Sequence, residues 1–320
     1  MHWDGCATFR VACRGQFSCC QVLVGQALFI PSSSEGLPVH LCGGEIKPDR
    51  QECRSLQKFI AGRGVTPSAW LWQYQKAQGI VEDGGKMNLK NAVALITGGS
   101  SGIGRAIAQA FSASGARVAI TGRDERRLAE TAGELGAHPI RADVAVEADV
   151  QRTYREVLQK FGDLDILVNN AGIGVFKSLV NFDRENFDAV FATNVTGAML
   201  MAREAAKHFV KRQRGNIVNI ASTAALRGAP NGTAYYASKF ALRGMTECWR
   251  AELRKYNIRV FLVNPSEVLT NFYPIAGLPQ KANATKLHAE DIAHIVKAML
   301  EMEDRGFTPE LSLFATNPQD

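Results

Sequence analysis

From residue 88 onward, short apolar runs alternate with stretches whose apolar positions recur at helical spacing. NAVALIT (91–97) is rich in β-forming residues and bounded by turn signals, which predicts a strand buried on both faces. GGSSGIG follows, then RAIAQAFSASG, in which Ile103, Ile107, Ala110 and Phe111 share one helical face. The unit recurs along the chain. ARVAITG (116–122), HPIRADV (138–144), LDILV (164–168), NIVNIAS (216–222) and IRVFLVNP (258–265) read as further strands, and the tail ELSLFATNPQD as carrying a last one. Helical patterns fall near 184–212, 236–255 and 289–303. Strands alternating with helices predict an α/β fold around a parallel sheet.

The pattern breaks near residue 86. Before it there is little periodicity of either kind, and the segment is rich in Gly, Ser and Cys. Residues 1–86 are therefore expected to be a poorly structured extension, and 87–320 a single catalytic domain. EDGGKM (82–87) corresponds to purine-rich codons that resemble a ribosome-binding site followed by a start. The natural chain is accordingly expected to begin at Met87, with the upstream residues read through. Six of the seven cysteines lie in the first 53 residues at spacings that match no CxxC metal site, so no metal is expected. Cys248, beside Trp249 in a helical pattern, reads as a buried inert thiol.

Composition narrows the class. A hydrophobic fraction of 46% with 21% charged residues suits a soluble protein with a sizeable core. The net charge of +6 is scattered, without the Lys/Arg block of a nucleic-acid-binding stripe. No apolar run reaches the roughly 18 residues that span a bilayer. VLVGQALFI (22–30) is too short and lacks a convincing cleavage site for a secretory signal, so a cytoplasmic protein is expected.

The chemistry begins at the first turn. Gly98 suits a tight bend, Gly102 lets backbone N–H groups approach a pyrophosphate, and Gly104 lets the following helix sit against the strand. The spacing Gly-x3-Gly-x-Gly differs from the commonest dinucleotide fingerprint, and a plain structural turn is the competing reading. The second strand ends in Arg123, where an acidic residue would favour NAD(H) and a guanidinium can pair with a 2′-phosphate. NADP(H) is therefore expected, with NAD(H) the alternative and Arg105 a second basic candidate. Asp143 ends the third strand, placed to meet an adenine ring. Asn169, opening NNAG, can tie neighbouring strands together. Tyr235 and Lys239 stand four apart on a predicted helix and so share a face. By itself that spacing fits either a catalytic pair or an aromatic helix start with a solvated lysine.

Taken jointly, TGGSSGIG, NNAG, NVTG with Asn194, Ser222 and Tyr235-x3-Lys239 resemble, in order and separation, the short-chain dehydrogenase/reductase family. The resemblance covers about residues 88–316. It implies a Rossmann-type doubly wound parallel sheet of about seven strands, with Asn194, Ser222, Tyr235 and Lys239 catalytic. It further implies a cofactor site made of Gly98, Ser100, Ser101, Gly102, Ile103, Gly104, Arg123, Asp143, Val144, Asn170, Ala171, Gly172, Tyr235, Lys239, Pro265 and Thr270. Tyr235 would be the acid/base, its pKa lowered by the Lys239 ammonium. Ser222 would orient the substrate oxygen, and Asn194 would position a water for proton resupply. Tyr236 fails the family spacing. His208, His288 and His294 fall in helical patterns as surface or half-buried residues.

The implied reaction is NADPH-dependent reduction of a ketone or aldehyde, of the 3-oxoacyl thioester type. An alcohol, sugar-alcohol or steroid dehydrogenase is the alternative, and a nucleotide-sensing regulator a more distant one. The implied partners are a small carbonyl or alcohol substrate, or an acyl thioester, and a second copy of the chain in a homodimer or homotetramer. An acyl carrier would require basic residues at the cleft mouth, for which Arg203, Lys207 and Arg227 are candidates. The match departs at Pro265-Ser266-Glu267, where the family has Pro-Gly, which puts the local backbone in question. Phe272 and Tyr273, in the loop after Thr270, are candidate apolar walls.

Overall fold

Residues with high β-propensity and no polar face to offer must be covered on both sides, and the first strand shows how. In the computed structural model β1 is Val93–Thr97, every residue of it buried. Val93 and Leu95 face one core cluster, Ala94 and Ile96 the other. That period of two is the pleat of a strand sandwiched between helical layers.

The structure describes residues 87–279 and 285–317, together with two short strands, Phe9–Arg10 and Gln21–Val22, which pair antiparallel. The chain divides into two units, Met1–Gly84 and Gly85–Asp320. Apart from those short strands, the expected extension lies outside the described residues. The second unit alternates strand and helix. After β1 come α1 (Gly102–Ala113), β2 (Arg117–Gly122), α2 (Glu125–Leu135), β3 (His138–Arg141), α3 (Glu147–Phe161) and β4 (Ile166–Asn169). There follow α4 (Arg184–Phe191), α5 (Ala198–Arg212), β5 (Gly215–Ile220), α6 (Thr233–Leu253), β6 (Ile258–Pro265), α7 (Ala289–Leu300) and β7 (Glu310–Leu313).

All seven strands are parallel, in the order β7-β6-β5-β4-β1-β2-β3. The sheet is thus the Rossmann-type, doubly wound one that the sequence predicts. Ile107 and Phe111 of α1, Leu128 of α2 and Ile292, Val296 and Leu300 of α7 pack on one face. Val150 and Val157 of α3 with Met201 and Phe209 of α5 cover the other. Burying each such side chain contributes about 1.5–3 kcal/mol. Between β1 and β4 the winding reverses, and the connections leave toward opposite edges. Their carboxyl ends therefore splay apart into a crevice, the position at which open α/β sheets bind ligands.

Three details differ from expectation. The helix expected over 184–212 is interrupted by a π-helical stretch, Ala192–Gly197, which carries Asn194. Cys248 is exposed: Leu242 and Thr246 turn the buried face of α6 inward, and Cys248 falls on the outer face. At Ser266, where the family has glycine, the backbone does not take positive φ, and its N–H donates to Leu313 O at 2.8 Å.

Candidate active site

The glycine turn after β1 is shaped by contacts that leave no room for side chains. Gly98 and Gly102 have φ of 63° and 51°, where a Cβ is strained. A Cβ on Gly104 would stand 2.4 Å from both Gly98 O and the Asn170 side-chain amide. Asn170 holds the turn from the side, donating to Thr97 O at 2.9 Å and Gly98 O at 3.2 Å. The Thr97 hydroxyl accepts from the N–H groups of Asn170 and Ala171, both at 3.0 Å. α1 then begins at Ser101 with no side-chain cap and no acidic residue in its first turn. Its leading N–H groups are left to a ligand, and the positive end of its dipole favours an anion.

This turn forms one wall of a cleft of about 530 Å³ at the carboxyl edge of the sheet, within the range of cofactor sites. Of the expected cofactor residues, Ser100, Ser101, Ile103, Arg123, Asp143, Val144, Ala171, Gly172, Pro265 and Thr270 line it, with Gly98, Gly102 and Asn170. Gly104 lies behind it as a packing residue. Thr270 reaches over to the turn: its Cγ2 would be 3.3 Å from a Cβ on Gly102. A cradle closed to side chains, an uncapped helix start and a cleft of this size fit a nicotinamide dinucleotide.

Just beyond β2 the cleft is lined by charges of both signs. Arg123 lies 3.9 Å from the Asp143 carboxylate and is largely exposed. Arg105 is not there, for its guanidinium is paired with Glu134 at 2.8 Å, away from the cleft. Arg127 lines the cleft in its place, a residue sequence reasoning missed although RDERR holds it one helical turn beyond Arg123. Asp124 also lines the cleft, but its carboxylate already caps α2, accepting from Arg127 N at 3.1 Å.

Ser222, Tyr235 and Lys239 meet in the same cleft. Ser222 arrives at the end of β5, and Tyr235 and Lys239 on successive turns at the start of α6. Lys239 is buried and donates to Ile220 O at 3.0 Å, its Nζ 5.8 Å from the centre of the Tyr235 ring. Burial pulls its ammonium down to about 8. Burial pushes the Tyr235 phenol well up, while its hydrogen bond with Ser222 pulls the other way. The expected lowering of the phenol by Lys239 is not found: the group that lowers it is Ser222, and burial prevails. Desolvation of the phenol is the largest effect, and one of the three N–H groups of Lys239 is taken by the Ile220 carbonyl.

Asn194 does not line the cleft. Buried, it accepts from Ile173 N at 2.8 Å and donates to Ile173 O at 2.9 Å and to Ser238 Oγ at 3.0 Å. Ser238 in turn donates to Tyr235 O at 2.7 Å. The pair is a strut between the loop after β4 and the start of α6. Asn169 ties β4 to its neighbour, donating to Asn219 Oδ1 at 3.0 Å and to Ala198 O at 3.1 Å.

The far end of the cleft is aromatic. The Tyr235 ring lies 5.4 Å from both Phe176 and Phe272, and Phe176 stacks on Tyr273 at 6.0 Å. Phe176 carried no signal in the sequence, since the segment after NNAG has no periodicity. The basic residues expected at the mouth are not found at the cleft. Arg203 pairs with Glu147 and Glu204, Lys207 with Glu204 at 2.8 Å, and Arg227 does not line it.

A parallel sheet with a dinucleotide cradle at its switch point, and a Ser, a Tyr and a Lys converging beside it, defines a class: nicotinamide-dependent oxidoreductases. The family model for short chain dehydrogenase matches residues 92–275, and the chain belongs to that family. The chain is 35% identical over 260 residues to (+)-borneol dehydrogenase 2 of Salvia officinalis, covering 69% of this chain and 91% of that one. It is similar in structure to 3-ketoacyl-(acyl-carrier-protein) reductase from Brucella melitensis complexed with NADH. There the TM-score is 0.67 and the identity 33%, over 71% of this chain and 98% of that one. The alcohol dehydrogenase of the archaeon Thermococcus sibiricus, complexed with 5-hydroxy-NADP, matches with a TM-score of 0.66 and 28% identity, over 72% of this chain and all of that one. Its family makes this protein an NAD(P)-dependent oxidoreductase acting on alcohols and ketones.

Proposed function

We propose that this protein is an NADP(H)-dependent carbonyl reductase in which Tyr235 is the acid/base. The observation that carries the reading is the convergence of Ser222, Tyr235 and Lys239 beside the glycine cradle. A bound nicotinamide supplies the hydride. As the carbonyl is reduced, its oxygen would take the phenol proton of Tyr235. Ser222 holds the substrate oxygen and the phenol in line, steadying the negative charge that develops there. Lys239 keeps a positive charge within 5.8 Å of the ring centre, and Asn194 with Ser238 holds the catalytic helix against the loop.

The NADP(H) preference rests on Arg123 and Arg127 at the end of β2. The relatives divide between a 3-ketoacyl-carrier reductase and alcohol dehydrogenases. A thioester reductase and a secondary-alcohol dehydrogenase therefore both stand as forms of one reaction. We also place the protein in the cytoplasm, as a homodimer or homotetramer assembled through α5 and α6. Sedimentation giving a monomer mass would refute the assembly.

Tyr235→Phe tests the core of the reading. The variant should lose at least about 100-fold in NADPH oxidation with a reactive ketone while still binding NADPH. Near-wild-type turnover in that variant would end the assignment.

A further inference from the structure

We propose that the substrate end of this cleft selects a rigid, uncharged ring ketone, alicyclic or aryl, over a linear 3-oxoacyl thioester. The inference rests on the carbonyl-reduction reading above and narrows it. A carbonyl that reaches the Tyr235 hydroxyl must lay its two substituents against whatever flanks that ring. The flanks are Phe176 and Phe272, each 5.4 Å away and tilted at 51° and 49°, so that together they make a wedge around the phenol. Tyr273 extends the wall, stacked on Phe176 and edge-on to Phe272. The wedge is set by the chain. Both rings converge over Gly174, where a Cβ would stand 2.8 Å from each.

Apolar ring walls suit an apolar ring. A rigid cyclic ketone brings large contact area and loses few rotors on binding. A linear thioester brings a flexible chain, a second carbonyl and, in its carrier arm, amides that need partners once out of water. Charge points the same way. Glu267, at this end of the cleft, is paired with Lys286 at 2.8 Å, so this ion pair is neutral and does not attract an anionic carrier arm. Of the cations considered for an acyl carrier, Arg203 pairs with Glu147 of α3 and with Glu204 of α5, and Lys207 with the same Glu204.

The test is kcat/KM with saturating NADPH for an aryl alkyl ketone, a fused bicyclic ketone and a 3-oxoacyl thioester, the last both as its N-acetylcysteamine ester and on carrier protein. The ring ketones should exceed the thioesters by about tenfold or more, the scale on which an apolar pocket discriminates. Phe176→Ala and Phe272→Ala should each shrink that ratio at least about threefold. A thioester equal to or better than the ring ketones overturns the inference, as does a ratio unmoved in both variants. Should either variant fail to fold, the wild-type ratio alone decides. Turnover lost in Tyr235→Phe sustains the underlying reading whichever class wins. No turnover of any carbonyl with either dinucleotide overturns that reading, and this inference with it.

Discussion

Lys239, proposed above as the partner of the acid/base, sits where burial costs stability. Its ammonium is buried, with a carbonyl for company and a pKa drawn from the ordinary 10.5 to about 8. Below pH 8 the lysine is charged in both folded and unfolded states, and folding bears the whole desolvation cost, roughly 3 kcal/mol. Between about 8 and 10.5 the unfolded chain holds a proton that the folded one has released, so stability rises with pH through that window. Lys239→Met removes the cost and leaves Ile220 O without this donor, a loss of about 1 kcal/mol. The variant should therefore be inactive yet melt about 5 °C higher at pH 7, with the gap closing by pH 10. Thermal scans at the two pH values check this. Since the proposed chemistry uses the ammonium form, reductive kcat/KM should fall as pH rises above about 8. A flat profile to pH 10 would detach Lys239 from catalysis. Arg123 makes a different prediction, because it is largely exposed and held only by a long contact of 3.9 Å to Asp143. Arg123→Ala should weaken NADPH binding about tenfold with little change for NADH, as fluorescence titration would show. An unchanged NADPH/NADH ratio would leave the preference unexplained.

The strand–turn–helix element from β1 to α1 is where backbone shape becomes a binding site. Its glycines do different work: Gly98 and Gly102 supply left-handed conformations, and Gly104 supplies closeness. A Cβ at Gly104 would meet backbone at 2.4 Å, which cannot swing aside as a side chain can. Gly104→Ala should therefore cost about 1–3 kcal/mol in urea unfolding and weaken dinucleotide binding by displacing the turn. A variant with wild-type midpoint and affinity would show that the helix start has slack. The element proposed to be catalytic depends on a longer connection. Tyr235 and Lys239 share a face because they are one turn apart, but the orientation of α6 relies on Ser238 and Asn194. Asn194 sits in a π-helical stretch, a local widening often found at functional positions.

For the whole molecule, the question is which part of the chain the chemistry needs. The sheet, both helical layers and every cleft residue named above lie within 87–317, and Leu89 is already 1% exposed in the core. A chain beginning at Met87 should therefore unfold cooperatively and bind NADPH within about twofold of the full-length protein. A chain that fails to fold would assign the first unit a structural role. Mass spectrometry of the native protein bears on the start site directly, for a peptide from the first 80 residues would end the read-through idea.

The strands, their burial on both faces and the glycine turn could be read in the sequence, because they follow from local periodicity and backbone sterics. The Tyr–Lys pair gained its meaning from several motifs in order, since one spacing by itself is common. What only the tertiary structure decided is which side chains meet across elements distant in the chain. Arg105 was a second candidate beside Arg123 until a glutamate in α2 claimed it. Cys248 turned outward because the twist of α6 gave its inner face to Leu242 and Thr246. Phe176 and Phe272, 96 positions apart, became neighbours of one tyrosine. The direction of the Tyr235 shift also followed from burial among those rings, and desolvation is a property of the assembled cleft, not of any segment.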